Sequence, residues 1–170
     1  MDIYCAYPGT FGPPHNGHLR LVQRAALVYA KVLIVCSVNE DKHPWFTPEE
    51  VKRLWLAFDL PENVEVITLA EFMARVDDPK NIVMIRGVRN EDDVRHEQGV
   101  MLQNTRDFGL TMFTYIVSDC GYEKYSSSRV RQAAIAGDLE ELNRCVPQAV
   151  AQEVLDRLAE RRTKGIPDDG

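Results

Sequence analysis

The sequence predicts an α/β protein: a Rossmann-like, doubly wound, mainly parallel five-stranded sheet with helices on both faces. Two observations lead to this fold class. Short apolar runs alternate with amphipathic segments along the chain, as in successive βαβ units. The first apolar run also leads through a glycine- and proline-rich turn, residues 7–17, into an amphipathic segment. Strand, such a turn and then a helix is the layout of a phosphate site in α/β proteins.

The bulk composition fits one ordinary globular domain. The chain has 170 residues and a formal net charge of −6, which disfavours nonspecific nucleic-acid binding and anionic membranes. Its four scattered cysteines contain no C-x-x-C pair, so they suggest neither a zinc site nor a disulfide framework. Without a long apolar stretch or a signal-peptide pattern, we expect a cytoplasmic protein. We predict a single domain over residues 1–160 and a flexible tail over 161–170.

Five apolar runs are predicted to form the strands. In chain order they are Ile3–Ala6, Val32–Val38, Val64–Thr68, Ile82–Ile85 and Thr111–Val117. The segments between and after them have the apolar spacing of helices. These are His18–Ala30, Pro48–Phe58, Ala70–Arg75, Asp93–Asp107, Arg129–Ala136 and Gln148–Arg161.

Several of these helices carry recognisable ends. Thr47 suits the N-cap of the second helix, with Pro48 at the first helical position and Glu50 at the third. The run of serines at 126–128 is another start, and Gly137 marks the end of that helix.

Three polar segments are expected to meet at one crevice. In open α/β sheets, ligands bind beyond the carboxyl ends of the strands, where the strand order switches. The segments that follow the first, second and fourth strands are Thr10–His18, Asn39–Phe46 and Arg86–Arg89. All three contain residue types that bind phosphate, and their convergence is the main argument for a site.

Thr10 and His18 are the strongest candidates within the first segment. A histidine near a helix start can donate a hydrogen bond to a phosphoryl oxygen as charge builds on it, and Thr10 offers a hydroxyl and an N–H. A surface histidine in a capping turn is the alternative, but the pattern G-T-F-x-P-x-x-x-G-H favours a functional one. His15 is interpreted as a surface residue without a role.

The other two segments supply cations. Lys42 follows the second strand, where a lone loop lysine would otherwise be merely solvated. Arg86 and Arg89 flank Gly87 directly after a buried-looking run, and their guanidinium forks suit phosphate. We expect Arg86 to take a ligand phosphate as its partner rather than to be a charged strand end.

Two further features are weaker by themselves. The serines 126–128 place hydroxyls and free N–H groups at a helix start, which is an anion site but also a common cap. Glu97 lies in an acidic and basic run that would by default be a solvated helix face. The chain lacks a Walker A sequence and a G-x-G-x-x-G motif, which disfavours a P-loop NTPase and an NAD-type Rossmann enzyme.

Taken together, these motifs resemble those of the bacterial phosphopantetheine adenylyltransferases. The element His15-Asn16-Gly17-His18 matches the T/H-x-G-H motif of the wider nucleotidyltransferase superfamily. The narrower resemblance rests on Tyr7-Pro8-Gly9-Thr10-Phe11, Lys42-x-Pro44-x-Phe46-Thr47, Ile85-Arg86-Gly87-Val88-Arg89 and Ser126-Ser127-Ser128-x-Val130-Arg131. The motifs occur in order from Ile3 to about Leu158.

The resemblance implies an activity and a set of ligands. That family transfers the adenylyl group of ATP to 4′-phosphopantetheine, with Mg²⁺, to give dephospho-coenzyme A and pyrophosphate, and it is usually hexameric. Coenzyme A would be a feedback ligand, and His18, Lys42 and Thr10 would be catalytic. Phosphopantetheine would be held by Thr10, Lys42, Met73 and Arg86. ATP would be contacted by Thr10, Phe11, His18, Gly87, Val88, Arg89, Glu97, Tyr122, Glu123, Lys124, Tyr125, Ser126, Ser127 and Ser128.

The chain departs from the family pattern at three places. Gly12 stands where aspartate is usual, Val94-Arg95-His96-Glu97 replaces a usual F-E-Y-E, and Tyr125 replaces isoleucine before the serines. Two alternatives therefore stay open. One is a sister nucleotidyltransferase with another acceptor, such as nicotinamide mononucleotide or glycerol phosphate. The other is a nucleotide- or coenzyme A-binding protein without turnover.

Overall fold

The computed structural model describes residues 4–38, 44–76, 82–109 and 111–168. Five strands lie in one sheet: β1 (Tyr4–Gly9), β2 (Lys31–Cys36), β3 (Val64–Thr68), β4 (Ile82–Val88) and β5 (Met112–Val117). The helices are α1 (Asn16–Ala26), α2 (Pro48–Trp55), α3 (Leu69–Arg75), α4 (Glu91–Phe108), α5 (Ser127–Ala136), α6 (Leu139–Cys145) and α7 (Gln148–Thr163). No helix among the described residues is long and apolar enough to cross a membrane.

The sheet has the order β3-β2-β1-β4-β5, and every neighbouring pair is parallel. From β1 to β3, each successive strand lies next to the previous one on the same side of β1. The next strand, β4, lies on the other side of β1. The switch in strand order therefore lies between β1 and β4, where a ligand crevice is expected. The predicted fold class is confirmed.

Side chains alternate between the two faces of the sheet. On one face, Cys5, Ile34 and Ile85 belong to the larger core cluster, which also contains buried residues of α1, α2, α5, α6 and α7. Ala6 and Met84 lie in a smaller cluster with Phe72 of α3. Since neighbouring strand residues point to opposite faces, the sheet is covered on both sides, one cover being much thicker.

Two helix starts follow the sequence closely because their caps are local. The Thr47 hydroxyl accepts a hydrogen bond from the Glu50 N–H at 3.2 Å, and the Glu50 carboxylate accepts one from the Thr47 N–H at 2.8 Å. Ser126 accepts one from the Arg129 N–H at 3.1 Å. The helix α6 was not predicted, although Asp138 caps it through the Glu141 N–H at 3.0 Å. Its seven residues are too few for a clear apolar period.

Several predicted boundaries require correction: β1 continues to Gly9 rather than ending at Ala6, and α1 ends at Ala26 rather than Ala30. The strand β4 continues to Val88 rather than ending at Ile85, because β5 pairs with Arg86, Gly87 and Val88. The helix α7 continues to Thr163, so the predicted tail over 161–170 begins too early. Arg161 is only 5% exposed, because its guanidinium lies over the Trp45 ring and donates to the Pro167 carbonyl.

Candidate active site

The site lies in a split between β1 and β4. Within the part of the chain that the structure describes, the two strands pair only where Tyr4–Ala6 lies beside Ile82–Met84. Beyond that point β1 pairs with β2 and β4 pairs with β5. A cavity of about 360 Å³ occupies the carboxyl ends of these two strands. The split gives a ligand access to backbone groups that a closed sheet would use for its own hydrogen bonds.

The turn after β1 is fixed by a buried phenylalanine. Phe11 is 3% exposed and has a φ of 41°, in the left-handed region that phenylalanine rarely adopts. Its ring packs edge-on against Tyr7, His18 and Trp55, with centroids 5.1, 5.0 and 5.4 Å away. A Cβ on Gly9 would lie 2.8 Å from this ring. Packing therefore holds the backbone of this turn in a strained shape, which is a feature of functional sites.

Two histidines lie at the start of α1, and the ring of each accepts a hydrogen bond from a nearby backbone N–H. His15 is the N-cap, and its Nδ1 accepts a hydrogen bond from the Gly17 N–H at 3.1 Å. The Nδ1 of His18 accepts one from the His15 N–H at 3.3 Å, and the rings stack with centroids 3.6 Å apart. His15 is 4% exposed, so its interpretation as a surface residue is wrong. The signal in the sequence was the i, i+3 spacing of a capping box.

Both histidines are neutral. Burial, followed by the positive charge of Arg89, lowers the pKa of His15 to about 3. Burial also lowers the pKa of His18 well below its usual range, with further lowering by His15, Arg86 and Arg89. A neutral imidazole whose Nδ1 accepts a hydrogen bond carries its proton on Nε2, so this network assigns His18 as an Nε2–H donor.

Arg86 crosses the split and is held from two sides. Its Nε and Nη2 donate to the two carboxylate oxygens of Glu97 at 2.6 and 2.8 Å, and its Nη1 donates to the Pro8 carbonyl at 2.7 Å. Glu97 is 9% exposed and lines the cavity, so it is not a solvated helix face. Arg86 thus has a protein partner that the sequence did not predict, and this pairing offsets the cost of a partly buried charge.

Arg86 keeps unused hydrogen-bond donors after this pairing. A guanidinium has five N–H donors, and these three contacts use three of them. Arg86 also lines the cavity. Glu97 and Pro8 therefore orient a fork that retains donors for an anion.

Arg89 is held more loosely at the mouth of the cavity. Its backbone N–H and its Nε donate to Asp93 at 2.9 and 3.0 Å, and its side chain is 44% exposed.

Between the two arginines, Gly87 allows β4 and α1 to approach each other closely, because a Cβ there would lie 2.5 Å from the Leu21 side chain of α1. The glycine of this motif is thus explained by packing of β4 against α1.

The start of α5 is tied to the turn after β1. The Ser127 hydroxyl donates to the Pro13 carbonyl at 2.8 Å, and Arg131 Nη1 donates to the Gly12 carbonyl at 2.7 Å. Ser126 and Ser127 line the cavity. N–H groups at a helix start favour an anion, so α1 and α5 present two such starts to the same space.

Two tyrosines form the outer wall. Tyr122 and Tyr125 line the cavity with their rings edge-on and 5.6 Å apart. Their segment is anchored by Asp119, which bonds Arg20 at 2.5 Å and Arg24 at 2.9 Å. These planar, partly apolar side chains suit a flat ring.

The structure brings most of the predicted site residues together. Those lining the one cavity are Thr10, Phe11, His18, Arg86, Gly87, Arg89, Glu97, Tyr122, Tyr125, Ser126 and Ser127. Met73 is 51% exposed on α3 and is not among the lining residues, and neither are Val88, Glu123, Lys124 and Ser128. Lys42 lies outside the described residues.

Sequence reasoning missed some of the lining. Tyr7, Pro8 and Gly17 belong to motifs that were recognised, but they were not singled out. Asp93 and Ser118 carried no motif that would have marked them. No group of three or more His, Cys, Asp or Glu side chains among the described residues can hold a metal ion.

The chain matches a protein family, proteins of similar sequence and solved structures of similar fold. A family model described as cytidylyltransferase-like matches residues 6–133. The phosphopantetheine adenylyltransferase of Lactiplantibacillus plantarum is 32% identical over 163 residues, covering 92% of this chain and 96% of that protein. The phosphopantetheine adenylyltransferase of Clostridium tetani is also 32% identical, covering 95% of this chain and 98% of that protein.

Solved structures with low sequence identity share the fold. Nicotinic acid mononucleotide adenylyltransferase of Plasmodium falciparum, complexed with NaAD, matches with a TM-score of 0.60 and 10% identity, over 98% of this chain and 99% of that one. Thermotoga maritima TmcAL, bound with α-thio ATP, matches with a TM-score of 0.55 and 14% identity, over 97% of this chain and 57% of that one. At such identities the likeness concerns the fold alone.

Proposed function

Because the chain belongs to the cytidylyltransferase-like family and is an adenylyltransferase of the phosphopantetheine adenylyltransferase branch, we propose that it transfers the adenylyl group of ATP to 4′-phosphopantetheine. The products would be dephospho-coenzyme A and pyrophosphate. The observation that carries the proposal is the cavity at the β1–β4 split, where Thr10, His18, Arg86 and the start of α5 meet.

The proposed reaction is a single displacement. A phosphate oxygen of phosphopantetheine attacks the α-phosphorus of ATP in line, and the bond from that phosphorus to the bridging oxygen breaks. Pyrophosphate leaves with the electron pair. The attacking phosphate is already an anion, so no general base is needed, and catalysis reduces to positioning and charge stabilisation.

His18 and Thr10 are proposed to act on the phosphates. The neutral His18 has one Nε2–H donor, which can strengthen its hydrogen bond as negative charge develops on an α-phosphoryl oxygen. Thr10 is exposed in the turn and offers its hydroxyl and N–H to a second phosphate. Lys42 is proposed, from the sequence, to add a cation to the same developing charge.

The acceptor is proposed to bind beside Arg86, with Thr10, Lys42 and Met73 as its further contacts. Arg86 has donors left after Glu97 and Pro8 are satisfied, and these suit the phosphate of phosphopantetheine. ATP would occupy the rest of the cavity. Its contacts are proposed to be Phe11, His18, Gly87, Val88, Arg89, Glu97 and the segment 122–128.

Mg²⁺ is proposed to enter with ATP rather than on a protein site. The two carboxylates that line the cavity, Asp93 and Glu97, are both bonded to arginines. The ion would then be held mainly by phosphate oxygens and water, as Mg²⁺ often is.

The first experiment is an assay of pyrophosphate release from ATP and Mg²⁺ with each of three acceptors. Release with 4′-phosphopantetheine alone is the expected result. Release with nicotinamide mononucleotide or glycerol phosphate instead would keep the chemistry and overturn the acceptor. No release with any acceptor, despite measurable ATP binding, would indicate a binding protein without turnover.

We also propose, from the family resemblance, a cytoplasmic homohexamer that coenzyme A inhibits. Light scattering on the purified protein measures the mass, with six times the chain mass expected. Addition of coenzyme A to the same assay is expected to slow pyrophosphate release. A monomeric mass or an unchanged rate would remove the respective proposal.

A further inference from the structure

We propose that Tyr7 binds the phosphate group of the acceptor by donating a hydrogen bond from its phenol hydroxyl to a phosphate oxygen. Tyr7 lines the cavity at the β1–β4 split, and the reaction described above gives it no role. The inference rests on the proposed function only in taking the acceptor to be a phosphate monoester. The three candidate acceptors, 4′-phosphopantetheine, nicotinamide mononucleotide and glycerol phosphate, all belong to that class.

Tyr7 is the first residue of β1 beyond the pairing with β4. The last pair of residues is Ala6 and Met84, whereas Tyr7 keeps its partner Ile34 on β2. The next residue, Pro8, accepts the hydrogen bond from Arg86 that spans the split. Tyr7 therefore stands at the closed end of the split, where the two strands begin to separate.

The Tyr7 ring is held in place by aromatic neighbours. Its side chain is 7% exposed and belongs to the larger core cluster. The ring meets the Phe11 ring edge-on at 5.1 Å and the His18 ring at 6.2 Å, measured between centroids. Because this packing restricts the ring, the position of the hydroxyl at its far end is restricted as well.

The Tyr7 hydroxyl has no hydrogen-bond partner in the described part of the chain. A phenol hydroxyl can both donate and accept a hydrogen bond, and polar groups in the interior of a protein are usually bonded. Among the described residues, no N–H, carbonyl or carboxylate bonds to this hydroxyl, although the side chain is more than nine-tenths buried. A ligand group in the cavity would complete its bonding.

The charges near the hydroxyl indicate an anionic ligand. Burial raises the pKa of the Tyr7 phenol above its usual range, while the Arg86 charge lowers it and the Glu97 charge raises it further. The phenol is therefore protonated at neutral pH and can donate. Arg86 lies close enough to act on this hydroxyl, and it keeps donors for the acceptor phosphate. Tyr7 then adds a neutral donor to the phosphate that Arg86 binds.

The test compares Tyr7→Phe with the wild type in the full chain. Phenylalanine keeps the ring, so the packing against Phe11 and His18 remains and only the hydroxyl is lost. Tyr29→Phe is the matched control, because the Tyr29 hydroxyl donates to the Thr114 hydroxyl at 3.1 Å and Tyr29 is not among the cavity-lining residues. Calorimetric titration measures the Kd for each of the three acceptors and for ATP, and thermal unfolding measures Tm.

In Tyr7→Phe, the Kd for the acceptor is expected to rise about tenfold or more, because hydrogen bonds to charged groups are stronger than neutral ones. The Kd for ATP should stay within about twofold, and Tm within about 1 °C, since the lost hydroxyl has no protein partner. Tyr29→Phe should behave in the opposite way. Its Tm should fall by about 2–4 °C through the loss of a hydrogen bond, with both Kd values as in the wild type.

An unchanged acceptor Kd in Tyr7→Phe overturns the inference, and so does a weakened binding of ATP alone. A fall in Tm as large as that of Tyr29→Phe also overturns it, because the hydroxyl would then have a structural role. A wild type that binds none of the three phosphate monoesters has the same consequence. If the wild type binds an acceptor but releases no pyrophosphate, the proposed function fails, while the titrations still test Tyr7.

Discussion

The two walls of the cavity are built in opposite ways. The histidine wall, residues 9–18, is held by buried rings: Phe11 packs against Trp55, and His15 stacks on His18. The tyrosine wall, residues 118–126, has Tyr122 36% exposed and is anchored by ion pairs of Asp119 to arginines on α1. The wall proposed to meet the reacting phosphate is fixed by packing. In the wall proposed to meet the adenine base, Tyr125 packs against the core, but the segment around Tyr122 is anchored by exposed ion pairs.

The difference concerns which part of the site can adapt. Close packing admits few arrangements, so the side chains of the histidine wall have little freedom to move. Exposed ion pairs contribute little and are easily rearranged. We therefore expect substitutions on the first wall to affect turnover or folding strongly, and substitutions on the second to shift affinity slightly.

The largest effect is expected from His18→Ala. It removes the donor proposed to strengthen in the transition state, so kcat should fall by about 10² or more, while ATP binding stays within a few-fold. Initial rates give kcat, and calorimetry gives the Kd for ATP. Equal losses in both quantities would show that His18 binds the ground state and does not act on the transition state.

Gly9→Ala is expected to have the next largest effect. Its new Cβ would meet the Phe11 ring at 2.8 Å, and that ring is enclosed by Tyr7, His18 and Trp55. Overpacking of this kind costs about 1–3 kcal/mol of the free energy of unfolding, measured by urea denaturation.

Gly12→Ala, three residues away, is the matched control for that substitution. A Cβ at Gly12 meets nothing within 4 Å, so a change below about 0.5 kcal/mol is expected. Similar losses in both variants would mean that the turn tolerates no side chain at either position, and that packing against Phe11 is not the cause.

The histidine wall should also make the protein sensitive to acid. The pKa of His15 is about 3 in the folded protein and about 6.5 when unfolded, so below pH 6.5 the unfolded chain binds a proton that the folded protein does not. The free energy of unfolding should then fall by about 1.4 kcal/mol per pH unit as pH falls from 6.5 toward 3. His18 acts with the same sign.

Urea denaturation between pH 7 and pH 5 tests this dependence. In His15→Asn, the slope of the free energy of unfolding against pH should be smaller by the contribution of one histidine. Above about pH 7, His15 should contribute nothing to that slope. A slope that is unchanged in the variant would show that His15 is not the group titrated on unfolding.

The smallest effect is expected on the tyrosine wall. Arg20→Met removes an ion pair whose side chains are 45% and 31% exposed, and Arg24 remains bonded to Asp119. Stability should change by less than about 1 kcal/mol, and the KM for ATP by less than about threefold. Arg95→Met, which breaks the exposed pair with Glu91 on α4, is the matched control. A tenfold rise in KM for Arg20→Met alone would show that this wall is as rigid as the other.

The sequence by itself determined the fold class and most of the site. Alternating apolar and amphipathic runs predict a parallel sheet because each strand and each helix must bury one face. The caps at Thr47 and Ser126 were predictable because their donors and acceptors lie three residues apart. Thr10 and Arg89 were found because each follows the carboxyl end of a strand, and His18 because it lies at a helix start. Arg86 was found because it follows the apolar run 82–85, although the structure places it within β4.

Only the tertiary structure decided which partners those residues have. Arg86 meets Glu97 across 11 residues and Pro8 across 78, and no local pattern specifies such pairs. His15 is buried in the folded chain, and its i, i+3 spacing alone did not distinguish a surface cap from a buried one. The extension of β4 to Val88 likewise depended on pairing with β5. Local hydrogen bonds and periodicity can be read along a chain, whereas burial and charge pairing are set by what the fold brings alongside.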